Sequence, residues 1–222
     1  MYILMDLDDT LLNHKKAQRS ASKIFGIKHQ NQIPQYSSNN FEDLWNNTMM
    51  KYFKKFLSGD ISFEEHRYFR IKELFENSEM KKEEALKIFK KYLILYEESW
   101  ELFDDVIPFL EWCKTQEYNL AIITAGSKKQ QNFKLQKMGI DHFFNFVFTA
   151  EEEKKSKPDP SFYKCVCKRL KIDPSKTFYI GDNVEKDAKG ALDAGLIGIW
   201  INREKKDIIY DGIVINSLNQ MK

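Results

Sequence analysis

Apolar positions recur with two different periods along the 222 residues. From about Asn13 to Trp100 the spacing is three and four. Phe41, Leu44, Trp45 and Met49, then Tyr52, Phe53, Phe56 and Leu57, lay one stripe along an amphipathic helix. Ser58-Gly59-Asp60 interrupts that stripe. Ser62, with Glu65 three residues on, reads as a capping box that starts a second helix through Phe69, Ile71 and Leu74. Ala85, Ile88, Phe89, Tyr92 and Leu93 share one face of another, over about 82–95. The region predicts a four-helix module.

After Leu102 the period changes. Short apolar runs at 120–124, 146–149, 177–181, 196–201 and 213–215 have the length and composition of strands covered on both faces. Helical stretches separate them: 127–138 ends at Gly139, 160–170 opens on a proline suited to a first turn, and 184–194 ends at Gly195. Joined to the first run, Tyr2 to Met5, they predict an α/β fold, a doubly wound parallel sheet interrupted after its first strand by the helical module. We place the α/β core at 1–13 and 103–222 and the inserted helices at 14–102, with Asp104, Asp105 and Pro108 marking the corner of re-entry.

In open parallel sheets ligands gather outside the carboxyl ends of the strands. Four short motifs fall there. Asp6, Asp8 and Thr10 follow the first strand, and Thr124-Ala125-Gly126 follows the second. Lys157-Pro158-Asp159 lies beyond the third, and Gly181-Asp182 ends the fourth, with Asp187 entering the next helix. A capping residue or charged turn explains one of these aspartates but not the group. Unit charges 4 Å apart repel by about 4 kcal/mol at an effective dielectric of 20, so such a crowd needs a cation. A hard divalent ion such as Mg2+ suits oxygen ligands.

The series D-x-D-x-T, a strand-end threonine, Lys-Pro-Asp-Pro and G-D-x-x-x-x-D resembles the haloacid dehalogenase superfamily of phosphotransferases over nearly the whole chain. The inserted helices resemble the helical cap of its beta-phosphoglucomutase and phosphoglycolate phosphatase group. The cap segment LWNNTMMKYFKKFLSGDISFEEHRYFR is similar to the bacterial pyrimidine nucleotidase branch. The resemblance implies a Rossmann-like core and a magnesium-dependent phosphatase. Asp6 is then the nucleophile that forms an aspartyl-phosphate, and Asp8 the acid and base. Metal ligands would be the side chains of Asp6 and Asp182 and the backbone carbonyl of Asp8. Phosphate would be held by Thr124, by the backbone at Ala125 and by Lys157. Thr10 would order the turn, and Asp187 would support Lys157 and the metal waters.

Two departures stand out. Relatives often carry asparagine where this chain has Ala125, which removes an amide from the phosphate site, and a second acid where it has Asn183. Outside the motifs, Thr124 and Asp187 also suit plain helix-capping and dipole roles, and Lys157 a surface position. The aromatics Phe41, Trp45, Tyr52 and Phe69, with Arg67 and Arg70, suit helix core as well as substrate contact.

A formal charge of +2, from 35 basic and 33 acidic residues, argues against a nucleic-acid polymer or an anionic membrane as partner. The expected partner is a small phosphorylated metabolite, and the expected assembly a monomer or weak homodimer. The first apolar run is too short for a signal peptide or a membrane span, which leads us to expect a soluble, cytoplasmic protein. Cys113, Cys165 and Cys167 form no metal-binding or disulfide spacing and read as packing thiols. A phosphomutase shares the same core residues and stays open. A metal-independent 2-haloacid dehalogenase is disfavoured by Asp8 and Asp182, and a catalytically idle binding protein by the intact Asp6 and Asp8.

Overall fold

The structure, a computed structural model, describes residues 1–222, apart from the side chain of Leu57. β1 (Tyr2–Met5) is the first strand. The chain then leaves for α1 (His14–Lys28), α2 (Phe41–Leu57), α3 (Phe63–Leu74) and α4 (Lys82–Glu98). It returns through α5 (Val106–Thr115), β2 (Asn119–Thr124), α6 (Lys128–Lys137), β3 (Phe146–Thr149), α7 (Ala150–Glu153) and α8 (Pro160–Leu170). β4 (Phe178–Gly181), α9 (Gly190–Asp193), β5 (Ile197–Ile201) and β6 (Ile213–Ile215) complete the order.

All five strand pairings are parallel, and the strands lie in the order β3-β2-β1-β4-β5-β6. The order runs outward from β1 in both directions, so the topological switch falls between β1 and β4. Side chains alternate across the pleat. Leu4, Ala121, Ile123 and Tyr179 pack with Phe162, Tyr163 and Val166 of α8. Ile3, Met5, Ile122 and Ile180, which point the other way, are equally buried, so the central strands are covered on both faces. Among the described residues, no helix is long and apolar enough to cross a membrane.

The chain divides into two compact units, Met1–Asn13 with Glu101–Lys222, and His14–Trp100. Residues 101 and 102, assigned from the sequence to the helical module, thus belong to the sheet unit. The reason is local: Leu102 forms an antiparallel bridge to Leu12, and the Asn13 amide donates to the Glu101 carbonyl.

Within the helical unit the expected capping box forms, with the Ser62 hydroxyl accepting from the Glu65 amide and the Glu65 carboxylate from the Ser62 amide. The ring centroids of Trp45 and Tyr92 lie 4.3 Å apart, and those of Phe25 and Trp45 5.2 Å apart. Phe41 and Trp45 are buried among such rings, which makes them helix core. Tyr52 stacks on Phe69, and its hydroxyl donates to Glu73 at 2.6 Å.

Two local features depart from the expected elements. Pro108 lies inside α5 rather than at a corner, because it takes the third helical position, where an amide hydrogen has no intrahelical partner to lose. The expected helix over 184–194 is a π-helical turn, Val184–Lys189, running into α9.

Candidate active site at the switch between β1 and β4

The end of β1 delivers Asp6. Its amide still belongs to the sheet, donating to the Ile180 carbonyl at 2.9 Å. Beyond it the chain turns on Asp9, whose φ of 60° is the left-handed conformation that aspartate tolerates better than most residues. The Asp9 amide donates to Leu12 at 2.7 Å, which closes the loop. Thr10 is fully buried and is held through its backbone: its carbonyl accepts from Arg203 Nη2 at 2.7 Å and Nε at 3.0 Å, while its hydroxyl has no partner. Arg203 is anchored in turn by two 3.0 Å bonds to Asp105.

Lys157 is the hub of the crevice. Its Nζ stands 2.6 Å from Asp6 Oδ1 and 2.6 Å from Asp187 Oδ1, with its side chain only 5% exposed. Tyr179 Oη lies 3.1 Å from the same ammonium and 3.0 Å from Asp187 Oδ1. The Asn183 amide donates to Asp187 Oδ2 at 3.0 Å, so both oxygens of Asp187 are engaged. Asp187 reaches this position because residue 181 is glycine: a Cβ there would lie 2.3 Å from Asp187 Cβ and Cγ. The Lys157–Pro158 peptide is cis.

One carboxylate oxygen from each of Asp6, Asp182 and Asp187 lies within 4.8 Å of the other two. Since Asp187 is saturated by Lys157, Tyr179 and the Asn183 amide, Asp6 and Asp182 are the pair that could hold an ion. Asp182 is fixed at its carbonyl, which accepts from the Trp200 indole at 2.9 Å. Asn183 caps the π-helical turn by accepting from the Glu185 and Lys186 amides.

Asp8 points to a different partner. Lys134 Nζ lies 2.6 and 2.7 Å from its two oxygens, and Gln131 Nε2 lies 3.3 Å from Oδ2. Lys134 and Gln131 are each 2% exposed, although both sit on α6, whose sequence reads as a polar surface helix. Gly126 makes room for Gln131, because a Cβ there would lie 1.8 Å from Gln131 Nε2. Thr124 is buried at the end of β2, its hydroxyl 3.5 Å from the Gly126 amide, and Ala125 is exposed.

Burial pushes the Asp6 carboxyl up to about 8 against the pull of Lys157, and the charges of Asp187 and Asp182 push the same way. Burial works against the charge on Lys157, yet Asp187 and Asp6 hold its ammonium above the usual lysine range. The carboxylates of Asp6 and Asp182 offer oxygen donors only, and that donor set fits a hard divalent cation.

Sequence reading brought Asp6, Asp182, Asp187 and Lys157 to one place, and Asp8 beside them. It missed Lys134, Gln131 and Tyr179. The usable signal was positional: Gln131 and Lys134 are three apart on α6 and so share the face of the apolar Leu135.

Fold and site together define an α/β protein with a cation-ready carboxylate crevice at its topological switch point. The chain belongs to the haloacid dehalogenase-like hydrolases, whose family profile matches residues 3–201. Over 205 residues, covering 92% of this chain and 85% of the other, it is 27% identical to the HAD-hydrolase YfnB of Bacillus subtilis. A crystal structure of that protein bound to magnesium superposes with a TM-score of 0.78 at 25% identity, covering 99% of this chain and 96% of that one. A glyceraldehyde 3-phosphate phosphatase of Methanopyrus kandleri is 36% identical over 103 residues, 46% of this chain and 44% of that protein. The chain therefore spans about half the length of that phosphatase. A 2-haloacid dehalogenase of Pseudomonas syringae shares the fold, with a TM-score of 0.71 at 23% identity over 100% of this chain and 96% of that one.

Proposed function

We propose that this hydrolase is a magnesium-dependent phosphatase that cleaves a small phosphorylated metabolite, working in the cytoplasm and without a nucleic-acid or membrane partner. One observation carries the reading. A buried carboxylate at the end of β1, Asp6, is paired to Lys157 beside Asp182, and a second carboxylate stands two residues on, at Asp8.

In this reading the Asp6 carboxylate attacks phosphorus, the phosphorus–oxygen ester bond breaks, and Asp8 gives its proton to the departing alkoxide. Asp8 then takes a proton from water, which attacks the aspartyl-phosphate and releases inorganic phosphate with Asp6 restored. Lys157 balances charge on the transferring group and on Asp6. Thr124 and the amides at Ala125 and Gly126 orient phosphate oxygens. Asp187 and Tyr179 hold Lys157. Magnesium would be held by Asp6, Asp182 and the Asp8 carbonyl, and when bound it would neutralise the phosphate charge.

Asp8 separates this reading from a dehalogenase, which makes no alkoxide that needs a proton. The named phosphatase among the relatives supports it. The test is hydrolysis of an aryl phosphate: chelation should abolish it and magnesium restore it. An undiminished rate in chelator overturns the reading.

A further inference from the structure

The helical unit contains a second polar cluster that the crevice chemistry leaves unused. Arg70 on α3 is 4% exposed, and its Nε and Nη2 have no hydrogen-bond partner. His66, one turn earlier, is 5% exposed with both ring nitrogens unpartnered. The guanidinium carbon of Arg70 lies 4.5 Å from the Trp45 ring centroid and 5.3 Å from that of Phe89. Arg67, on the same face, lies 4.5 Å from the Phe63 ring. The buried polar residues of this unit, Ser22, His29, Thr48, His66 and Arg70, include no carboxylate.

Ring faces offset part of the cost of burying a guanidinium, but they satisfy none of its N–H donors. A buried cation without counter-charge or acceptor is among the costliest arrangements a core can hold, and an apolar residue of similar size would pack there without that cost. The neighbourhood compounds the problem. Burial, with Tyr92 opposing and Arg67 adding to it, lowers the Arg70 guanidinium to about 10, and burial with the charges of Arg70 and Arg67 lowers His66 to about 4. The two unpartnered donors of the Arg70 guanidinium, Nε and Nη2, beside an imidazole that can donate one more hydrogen bond, have the chemistry of an oxyanion receptor.

We propose that the helical unit holds a small oxyanion, a carboxylate or phosphate group, between Arg70 and His66, under the rings of Trp45 and Phe89. The anion is one free in solution, of the size of sulfate or inorganic phosphate. This site stands on residues of the helical unit alone and draws nothing from the phosphatase reading.

The experiment titrates sulfate calorimetrically into the magnesium-free full chain, wild type against Arg70→Met and Arg70→Lys. Wild type should bind one sulfate, Arg70→Met none, and Arg70→Lys one at least tenfold more weakly. Should Arg70→Met fail to fold, the weakening in Arg70→Lys gives the same comparison. Sulfate binding that is absent in the wild type, or unchanged in the Arg70 variants, overturns the proposal and leaves Arg70 a stacked core cation.

Discussion

Lys134 Nζ sits within 2.7 Å of both carboxylate oxygens of Asp8, although the two residues are 126 positions apart and Lys134 comes from a helix with few apolar side chains. An ion pair with one partner nearly excluded from solvent fixes a side chain far better than an exposed pair does. Asp8 is thereby held as a positioned group.

If Lys134 positions Asp8 for proton transfer, its loss should weigh on substrates according to how much their leaving group needs a proton. General acid–base catalysis contributes typically about a hundredfold to ten-thousandfold. Lys134→Met should therefore lower kcat on an alkyl phosphate at least about thirtyfold and on 4-nitrophenyl phosphate, whose phenolate leaves unaided, only about threefold. A uniform loss on both esters would show that Lys134 merely supports the fold.

Gly181 offers a steric test of the Lys157 hub. A methyl group there would overlap Asp187 Cβ and Cγ at 2.3 Å, and Asp187 is buried. Gly181→Ala should displace Asp187, leave Lys157 to Asp6 alone, and cost about 1–3 kcal/mol by overpacking. Denaturant midpoints measure the stability loss. Magnesium-dependent turnover should fall with it, and a fully active, fully stable variant would contradict the packing described.

Asp105 carries a pH signature. Burial works to raise its carboxyl, but hydrogen bonds from Arg203, Ser217 and the Leu218 amide, with the Arg203 charge, bring it below the usual carboxylate range. A folded pKa below the unfolded one gives stability that is fully present above the unfolded value and lost as pH falls through the folded value. Asp105→Asn should cost about 1–3 kcal/mol near pH 7. The gap to wild type should close as acid takes the pH below about 4 and on through the lowered folded value. Unfolding curves at pH 7 and pH 3 check this. Because Arg203 also holds the Thr10 carbonyl, the variant should lose some activity even where it stays folded.

The sequence made the crevice legible where chemistry sits at the end of a strand. Asp6, Thr124 and Asp182 each follow an apolar run directly, so the fold class alone gathers them, and Lys157 and Asp187 follow from their motifs. Lys134 and Gln131 lie mid-helix, where a lysine reads as a solvated side chain, and only the close approach at Gly126 shows otherwise. The first cap helix was equally hard to see. Apart from Phe25, α1 buries small residues, Ala17, Ala21, Ser22 and Gly26, and the last of these touches Phe41 so closely that a Cβ would lie 2.4 Å from the ring. α5 was hidden by its early proline, and the π-helical turn at 184–189 has a register that apolar spacing does not encode. Arg70 and His66 gave no sign of burial, because charged residues on an aromatic helix face look the same exposed or enclosed.

The central claim is that Asp6 takes the phosphoryl group. The most direct measurement quenches the enzyme in acid during turnover of a phosphomonoester with magnesium present, then locates the bound phosphoryl group by peptide mass spectrometry. The phosphoryl group should lie on the peptide carrying Asp6, absent in Asp6→Asn and absent when magnesium is withheld. Phosphoryl label on any other residue, or steady turnover by Asp6→Asn, would contradict it.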